Sequence, residues 1–179
     1  MESEINQSAI DNIMSRTSIR KFQDRTVENE KVTMILKAAM AAPSAVNKQP
    51  WQFVVVDDRN LLQQIASALP YAHMAATASL AIIVCGDMSK ALAGEEETFW
   101  IQDVSAASEN ILLASNALGL AAVWTGVYPM HDRVEVLSRL LRLPRHVIPL
   151  NVIPIGYPAV MHAAQNKWKE ENIHHNGWM

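Results

Sequence analysis

The chain has 179 residues, half of them hydrophobic and only 18% charged, with a net charge of −3. That length fits one domain, 1–179, with apolar material enough for a core. The acidic balance, without any long basic run, argues against nucleic acid as the main partner, because phosphate neutralisation needs clustered Lys and Arg.

The N-terminus, Met1-Glu2-Ser3-Glu4, lacks the basic region and apolar core of a signal peptide, and no apolar run reaches bilayer length, so a cytoplasmic protein off the membrane is expected. From about Asn6 to Ser15, Ile10, Ile13 and Met14 follow helical spacing. Next comes Arg16-Thr17-Ser18-Ile19-Arg20-Lys21-Phe22, in which an extended backbone would point Arg16, Ser18 and Arg20 to one side. Two guanidinium groups and a hydroxyl suit an anionic ligand, although a solvated basic turn has the same composition. Thr26 and Asn29 are candidate caps for a helix carrying Val32, Ile35, Leu36, Ala39 and Met40, and Pro43 ends it.

Pro43-Ser44-Ala45-Val46-Asn47-Lys48-Gln49-Pro50-Trp51 is held at both ends by proline. Ser44, Asn47 and Gln49 offer uncharged donors and acceptors, which suit a polar, planar heteroaromatic ring better than a metal. A plain helix-to-strand connection also looks like this. Gln52–Val56 reads as a strand, and Asp57 and Asp58 open a helix with Leu61, Leu62, Ile65 and Leu69 as its buried stripe, stopped by Pro70. His73 has no His or Cys at metal-ligand spacing, so no metal is expected.

Leu80–Cys85 is continuously apolar and predicts a central strand covered on both faces. Cys85, the only cysteine, reads as a core residue of a reducing compartment. Met88–Thr98, with Glu95-Glu96-Glu97, reads as a mobile, solvated loop. A long helix, Phe99–Leu118, follows; it is expected in the middle of the structure, with Gly119 just past its end. Ala121–Val127 reads as a strand in which Gly126 marks either a bulge or a place where a ligand meets the backbone. His131–Leu141 is an amphipathic helix stopped by Pro144, and Val147–Gly156 is a last strand that Pro149 and Pro154 should push towards an edge or its ends. The tail from Tyr157 to Met179 has no regular period, yet it holds Trp168, Ile173 and Trp178, which must be buried somewhere. Reciprocal exchange with a twin subunit would bury them, and nine Met and five Trp in a weakly charged chain fit an obligate dimer. Lys167, near Lys169, adds positive charge to that of Arg16 and Arg20.

In this order the segments resemble the nitroreductase family of FMN-dependent oxidoreductases over essentially the whole chain. Arg16-Thr17-Ser18-Ile19-Arg20 is similar to its Arg-x-Ser-x-Arg segment, and Ala42-Pro43-Ser44-Ala45-Val46-Asn47-Lys48-Gln49-Pro50-Trp51 to its most specific signature. Gly119-Leu120 through Trp124-Thr125-Gly126, and Ile155-Gly156-Tyr157-Pro158, resemble two further family stretches.

The resemblance implies an α+β fold with a mostly antiparallel central sheet wrapped by helices, in a homodimer that exchanges C-terminal arms of about 157–179. FMN would lie in interface clefts, with its phosphate on Arg16 and Lys167, or Lys169 in place of Lys167. Thr17 and Ser18 would meet its polar part and Arg20 its pyrimidine edge. Pro43, Ser44, Ala45 and Asn47 of the partner subunit would touch the ring, and the backbone at Trp124, Thr125 and Gly126 would face N5. NADH or NADPH would reduce the flavin, and a nitroaromatic, quinone or related small acceptor would reoxidise it in a ping-pong cycle with no catalytic side chain. A flavin-binding module without turnover, such as a cofactor reservoir or sensing subunit, is the alternative. Lys167 stands where Arg is common, and Met88–Thr98 lies where longer relatives carry helices over the substrate.

Overall fold

The two longest apolar runs pair with each other, and the remaining elements are laid on that pair. The computed structural model describes residues 2–160 and 162–178, with side chains from Ser8 onward. Met1, at the acidic N-terminus, and Met161 and Met179, in the arm, lie outside the described residues. The helices are α1 (Glu2–Ser15), α2 (Asn29–Met40), α3 (Arg59–Ala68), α4 (Phe99–Ala117) and α5 (His131–Leu140). The strands are β1 (Trp51–Val56), β2 (Leu80–Asp87), β3 (Ala121–Ala122), β4 (Thr125–Gly126) and β5 (Val147–Gly156). They are ordered β1-β2-β5-β3, with β4 also on β5, and every pairing is antiparallel. The expected α+β arrangement is therefore present.

Every residue of β2 is buried, as its continuous apolar run predicts. Its side chains alternate between two layers. Ile82 and Val84, with Ile153 and Ile155 of β5, pack against Ile35 and Ala39 of α2 and Val104, Ala107 and Ile111 of α4. Ala81, Ile83 and Cys85, with Val152, pack against Leu62 and Ile65 of α3 and Leu137 of α5. Burial pushes the Cys85 thiol up to about 12, so it stays protonated in the core.

The element ends follow from local chemistry. Asp58 accepts the Leu61 N–H at 2.8 Å and caps α3. Gly119, at φ 71°, turns the chain out of α4 while the Leu120 N–H closes onto the Ser115 carbonyl at 2.8 Å. Neither Thr26 nor Asn29 caps α2: its N-cap is Glu28, which makes no side-chain cap bond. Helix α5 stops before Pro144, at Leu140, where Arg142 at φ 53° already breaks the repeat. The Met88–Thr98 segment is partly ordered, with a 3₁₀ turn at Gly94–Thr98 leading directly into α4.

Two expectations about strands fail for one reason. β5 is not at an edge; it pairs with β2 on one side and with β3 and β4 on the other. Ala121–Val127 is not one strand: Ala122 pairs with Ile155 and Thr125 with Val152, and the ladder lapses at Val123–Trp124, opposite Ile153 and Pro154. The Val127 and Tyr128 N–H groups bond the Leu150 carbonyl, so Leu150, Val152 and Pro154 turn their backbone groups to this side. The N–H that Pro154 lacks would have pointed into the gap. At the other proline, the β2 register slips between Val84 and Cys85, opposite Asn151 and Pro149.

The start of the arm is tied down. Gln23 N–H bonds the Tyr157 carbonyl at 2.8 Å, and Ala159 N–H bonds the Lys21 carbonyl at 2.9 Å. The Tyr157 hydroxyl donates to the Glu28 carboxylate, 2.7 Å from Oε2, and accepts from Lys31 Nζ at 2.8 Å. The Arg25 guanidinium lies 3.6 Å from its ring centroid. The Tyr157 hydroxyl and the Glu28 backbone hold the Glu28 carboxyl at about 2, down from its ordinary 4.5. A depressed acid stabilises the fold above its unfolded pKa, and the contribution is lost as pH falls from about 4.5 through about 2. Tyr157→Phe is expected to lower the melting temperature at pH 7 and to flatten the loss of stability between pH 4.5 and 2. Thermal melts of both proteins across that range test this; parallel pH profiles would contradict it.

Candidate functional site

The Arg16–Arg20 segment lies along β3, with the Ile19 N–H on the Ala122 carbonyl at 3.3 Å. Ile19 and Phe22 turn inward, packing with Met74, Ala78, Ala121 and Val123. Arg20 and Lys21 between them are exposed. Arg16, Thr17, Ser18 and Arg20 line a cleft of about 810 Å³ closed by Ile13 and Met14 of α1 and by the arm from His162 to Trp168. Lys167 lines it too, and Lys169 does not. Three cations and two hydroxyls thus share one cavity with no carboxylate among its lining residues. Glu109 of α4 approaches Arg16 through Nε, at 3.6 Å.

Pro43, Ser44, Ala45 and Asn47 line no part of that cleft. Their loop is sharply wound: Val46, Asn47 and Gln49 sit at φ 50°, 56° and 50°. A β-branched residue there is an outlier, and the Val46 side chain is 80% exposed, so side-chain packing does not hold it in place. Hydrogen bonds do. The Asn47 N–H bonds the Ser44 carbonyl, the Gln49 N–H bonds Ser44 Oγ at 2.9 Å, and Gln49 Nε2 donates to Asn47 Oδ1 at 2.9 Å. From outside the loop, Asp103 of α4, buried beneath it, accepts the Ala45 N–H on Oδ1 at 2.8 Å. Sequence reasoning missed Asp103, although an acid at helical spacing among Trp100, Val104 and Ala107 was a visible signal.

Trp124, Thr125 and Gly126 form a third group. Trp124 is half-buried against the α2–α4 layer, and Thr125 Oγ1 donates to the Val152 carbonyl at 2.7 Å. Gly126 is exposed, and a Cβ built on it would meet nothing within 4 Å. Thr125 and Val127 turn their backbone groups to β5, so the N–H and C=O of Gly126 face away from the sheet. The Gly126 N–H is open to a ligand there, whereas its carbonyl accepts from Arg133 Nη1 at 3.3 Å and the Thr125 hydroxyl is already engaged.

Asp103→Ala removes the acceptor that anchors the wound loop and should destabilise the protein by roughly 1–3 kcal/mol. Asp103→Asn keeps an acceptor and should cost less. Urea unfolding of both variants decides it; equal losses would mean that the carboxylate charge, not the bond to Ala45, matters.

The protein family model described as the nitroreductase family matches residues 13–70 and 61–157. A protein of Methanothermobacter thermautotrophicus provisionally named NADH dehydrogenase/NAD(P)H nitroreductase is 50% identical over 167 residues, which cover 93% of this chain and 85% of the relative. A crystal structure from Parabacteroides distasonis under the same provisional name superposes with a TM-score of 0.91 at 47% identity, covering 96% of this chain and 99% of that one. An FMN-dependent nitroreductase of Clostridium difficile gives a TM-score of 0.87 at 30% identity, covering 94% and 99%. The chain belongs to the nitroreductase family.

Proposed function

We propose that this chain is an FMN-dependent oxidoreductase that draws electrons from NADH or NADPH and passes them, in a ping-pong cycle, to nitroaromatic, quinone or related small acceptors. The observation that carries this reading is the cleft in which Arg16, Arg20 and Lys167 converge with the Thr17 and Ser18 hydroxyls, without a lining carboxylate. That donor set suits FMN, a phosphate monoester joined through a hydroxylated chain to a polar ring. The Clostridium difficile relative is itself named FMN-dependent.

In this reading Arg16 and Lys167 hold the phosphate, Thr17 and Ser18 meet the polar chain, and Arg20 stands at the pyrimidine edge. When bound, FMN supplies the two-electron chemistry, taking hydride from the nicotinamide and yielding electrons to the acceptor. Arg20 favours the negative charge that reduction leaves on the pyrimidine side. The backbone of Gly126, beside Trp124 and Thr125, would face the reactive edge with its free N–H. No side chain is required as nucleophile or proton relay.

A twin subunit completes the site. Ile10, Ile13 and Met14 on α1 and Trp168, Ile173 and Trp178 on the arm are all exposed, and Ile13, Met14 and Trp168 border the cleft. Large apolar side chains gathered around one cleft mark a covered surface. In the proposed homodimer the partner covers them and brings its own Pro43, Ser44, Ala45 and Asn47 to the ring, while the arm, about 157–179, crosses in exchange. The chain works as a single domain in the cytoplasm; no helix among the described residues is long and apolar enough to cross a membrane.

The purified protein is expected to show flavin absorbance that bleaches anaerobically with NADH or NADPH and returns on adding a quinone. Bands that persist with both donors would favour a binding module without turnover, and a colourless protein that FMN cannot reconstitute would end the proposal. Arg16→Ala and Lys167→Ala should each weaken FMN about tenfold or more, as loss of a charged hydrogen bond does. Neither should change riboflavin, which has no phosphate; fluorescence titrations measure both. Truncation after Val160 should lose the dimer and the flavin together, and a truncated protein that stays yellow and dimeric would remove the exchanged arm.

A further inference from the structure

Arg133, in the first turn of α5, takes no part in the cleft described above. Its Nη1 donates to the Gly126 carbonyl at 3.3 Å, and its guanidinium carbon lies 5.2 Å from the centroid of the Tyr71 ring. Tyr71 is 66% exposed, although a ring buried for packing alone would be covered. Among the described residues Arg133 forms no ion pair, whereas the other arginine of α5, Arg139, pairs with Glu135 at 3.3 Å. The first turn of α5 has no side-chain cap bond, and Asp132 is its one acid. The guanidinium of Arg133 thus lies over an aromatic face and is fixed at one N–H by a carbonyl, with its other N–H groups uncommitted to any carboxylate.

We propose that Arg133 binds the pyrophosphate of the pyridine dinucleotide donor and so sets the affinity for that donor. The proposal rests on the reading that Gly126 borders the flavin. The sequence has no glycine-rich dinucleotide fingerprint, so a side chain is the candidate to meet the donor's phosphates. Arg16 and Lys167 are committed to the cofactor cleft. Arg133 is the cation bound directly to Gly126: it holds the carbonyl that turns off the sheet and leaves the N–H of that glycine to a ligand. The contact with the Gly126 carbonyl couples the two: the arginine that meets the donor's phosphates also holds the peptide beside which its nicotinamide reacts. A dinucleotide carries the anion that this fork takes up, and a nicotinamide riboside does not.

The test measures equilibrium binding of NAD+ and of oxidised nicotinamide riboside to the intact flavin-loaded protein, by calorimetry at two salt concentrations. Arg133→Ala should weaken NAD+ about tenfold or more and flatten its salt dependence, leaving the riboside unchanged. Arg133→Lys keeps the charge without the fork and should fall between the two; Arg139→Ala, elsewhere on α5, should match the wild type. Equal weakening of NAD+ and riboside would reduce Arg133 to a prop for Gly126 and overturn the proposal, as would no change in either. A yellow wild-type protein with no measurable NAD+ affinity would overturn it as well. A colourless protein would instead defeat the flavin reading beneath it.

Discussion

The antiparallel pairing of β2 with β5 is the constraint on which the other elements depend. Both strands are buried on two faces, so two helical layers are required, α2 with α4 on one side and α3 with α5 on the other. β5 then has one edge left. That edge carries the Ala121–Gly126 stretch, and the Arg16–Arg20 segment hangs on it through Ile19 and Ala122. A proline on that edge decides its shape. Pro154 has no N–H to give towards β3 and β4, the ladder opens opposite it, and beyond the opening Gly126 turns its backbone outward.

Most of the fold was legible in the sequence because its strands and helices obey their periods closely. The continuous run Leu80–Val84 gave a doubly covered strand, and the Leu62, Ile65, Leu69 stripe gave the buried face of α3. What misled was proline. A rule that places proline at sheet edges treats a strand as having one kind of backbone group, whereas a central strand with an interrupted neighbour can hide the missing donor in the interruption. That interruption lies in another segment, so no inspection of Val147–Gly156 alone could reveal it.

The site divides in the same way. Alternation in Arg16-Thr17-Ser18-Ile19-Arg20 put Arg16, Ser18 and Arg20 on one side, and all three line the cleft, with Ile19 buried; Thr17 joins them there, which alternation alone does not give. The Pro43–Trp51 loop was read for the hydrogen-bonding groups of Ser44, Asn47 and Gln49, yet those groups largely bond one another. Their role is to hold left-handed geometry at Val46, Asn47 and Gln49, and the long-range partner that makes this possible, Asp103, lies 58 residues from Ala45 in sequence. Glu109 on Arg16 and Tyr71 on Arg133 are also long-range pairs, which composition and spacing do not encode.

These long-range contacts give α4 a double role that follows from its composition. Asp103, one residue before Val104, reaches the wound loop, and Glu109, six residues further on, reaches Arg16. Asn116 in the last turn donates to Asn12 Oδ1 of α1 at 2.8 Å, and Ser108 accepts from Asn151 of β5, also at 2.8 Å. A helix that touches a loop, an arginine, another helix and the central strand must let each approach closely, and Ala and Ser on its faces permit that. Polar contacts at fixed helical spacing then set the distances between the parts they hold, because a helix rises by about 1.5 Å per residue and does not stretch. The separation between the loop anchored at Asp103 and the cation anchored at Glu109 is therefore a property of α4 itself. A change in the length of α4 between those two positions would shift the wound loop relative to Arg16 while leaving every side chain that lines the cleft intact.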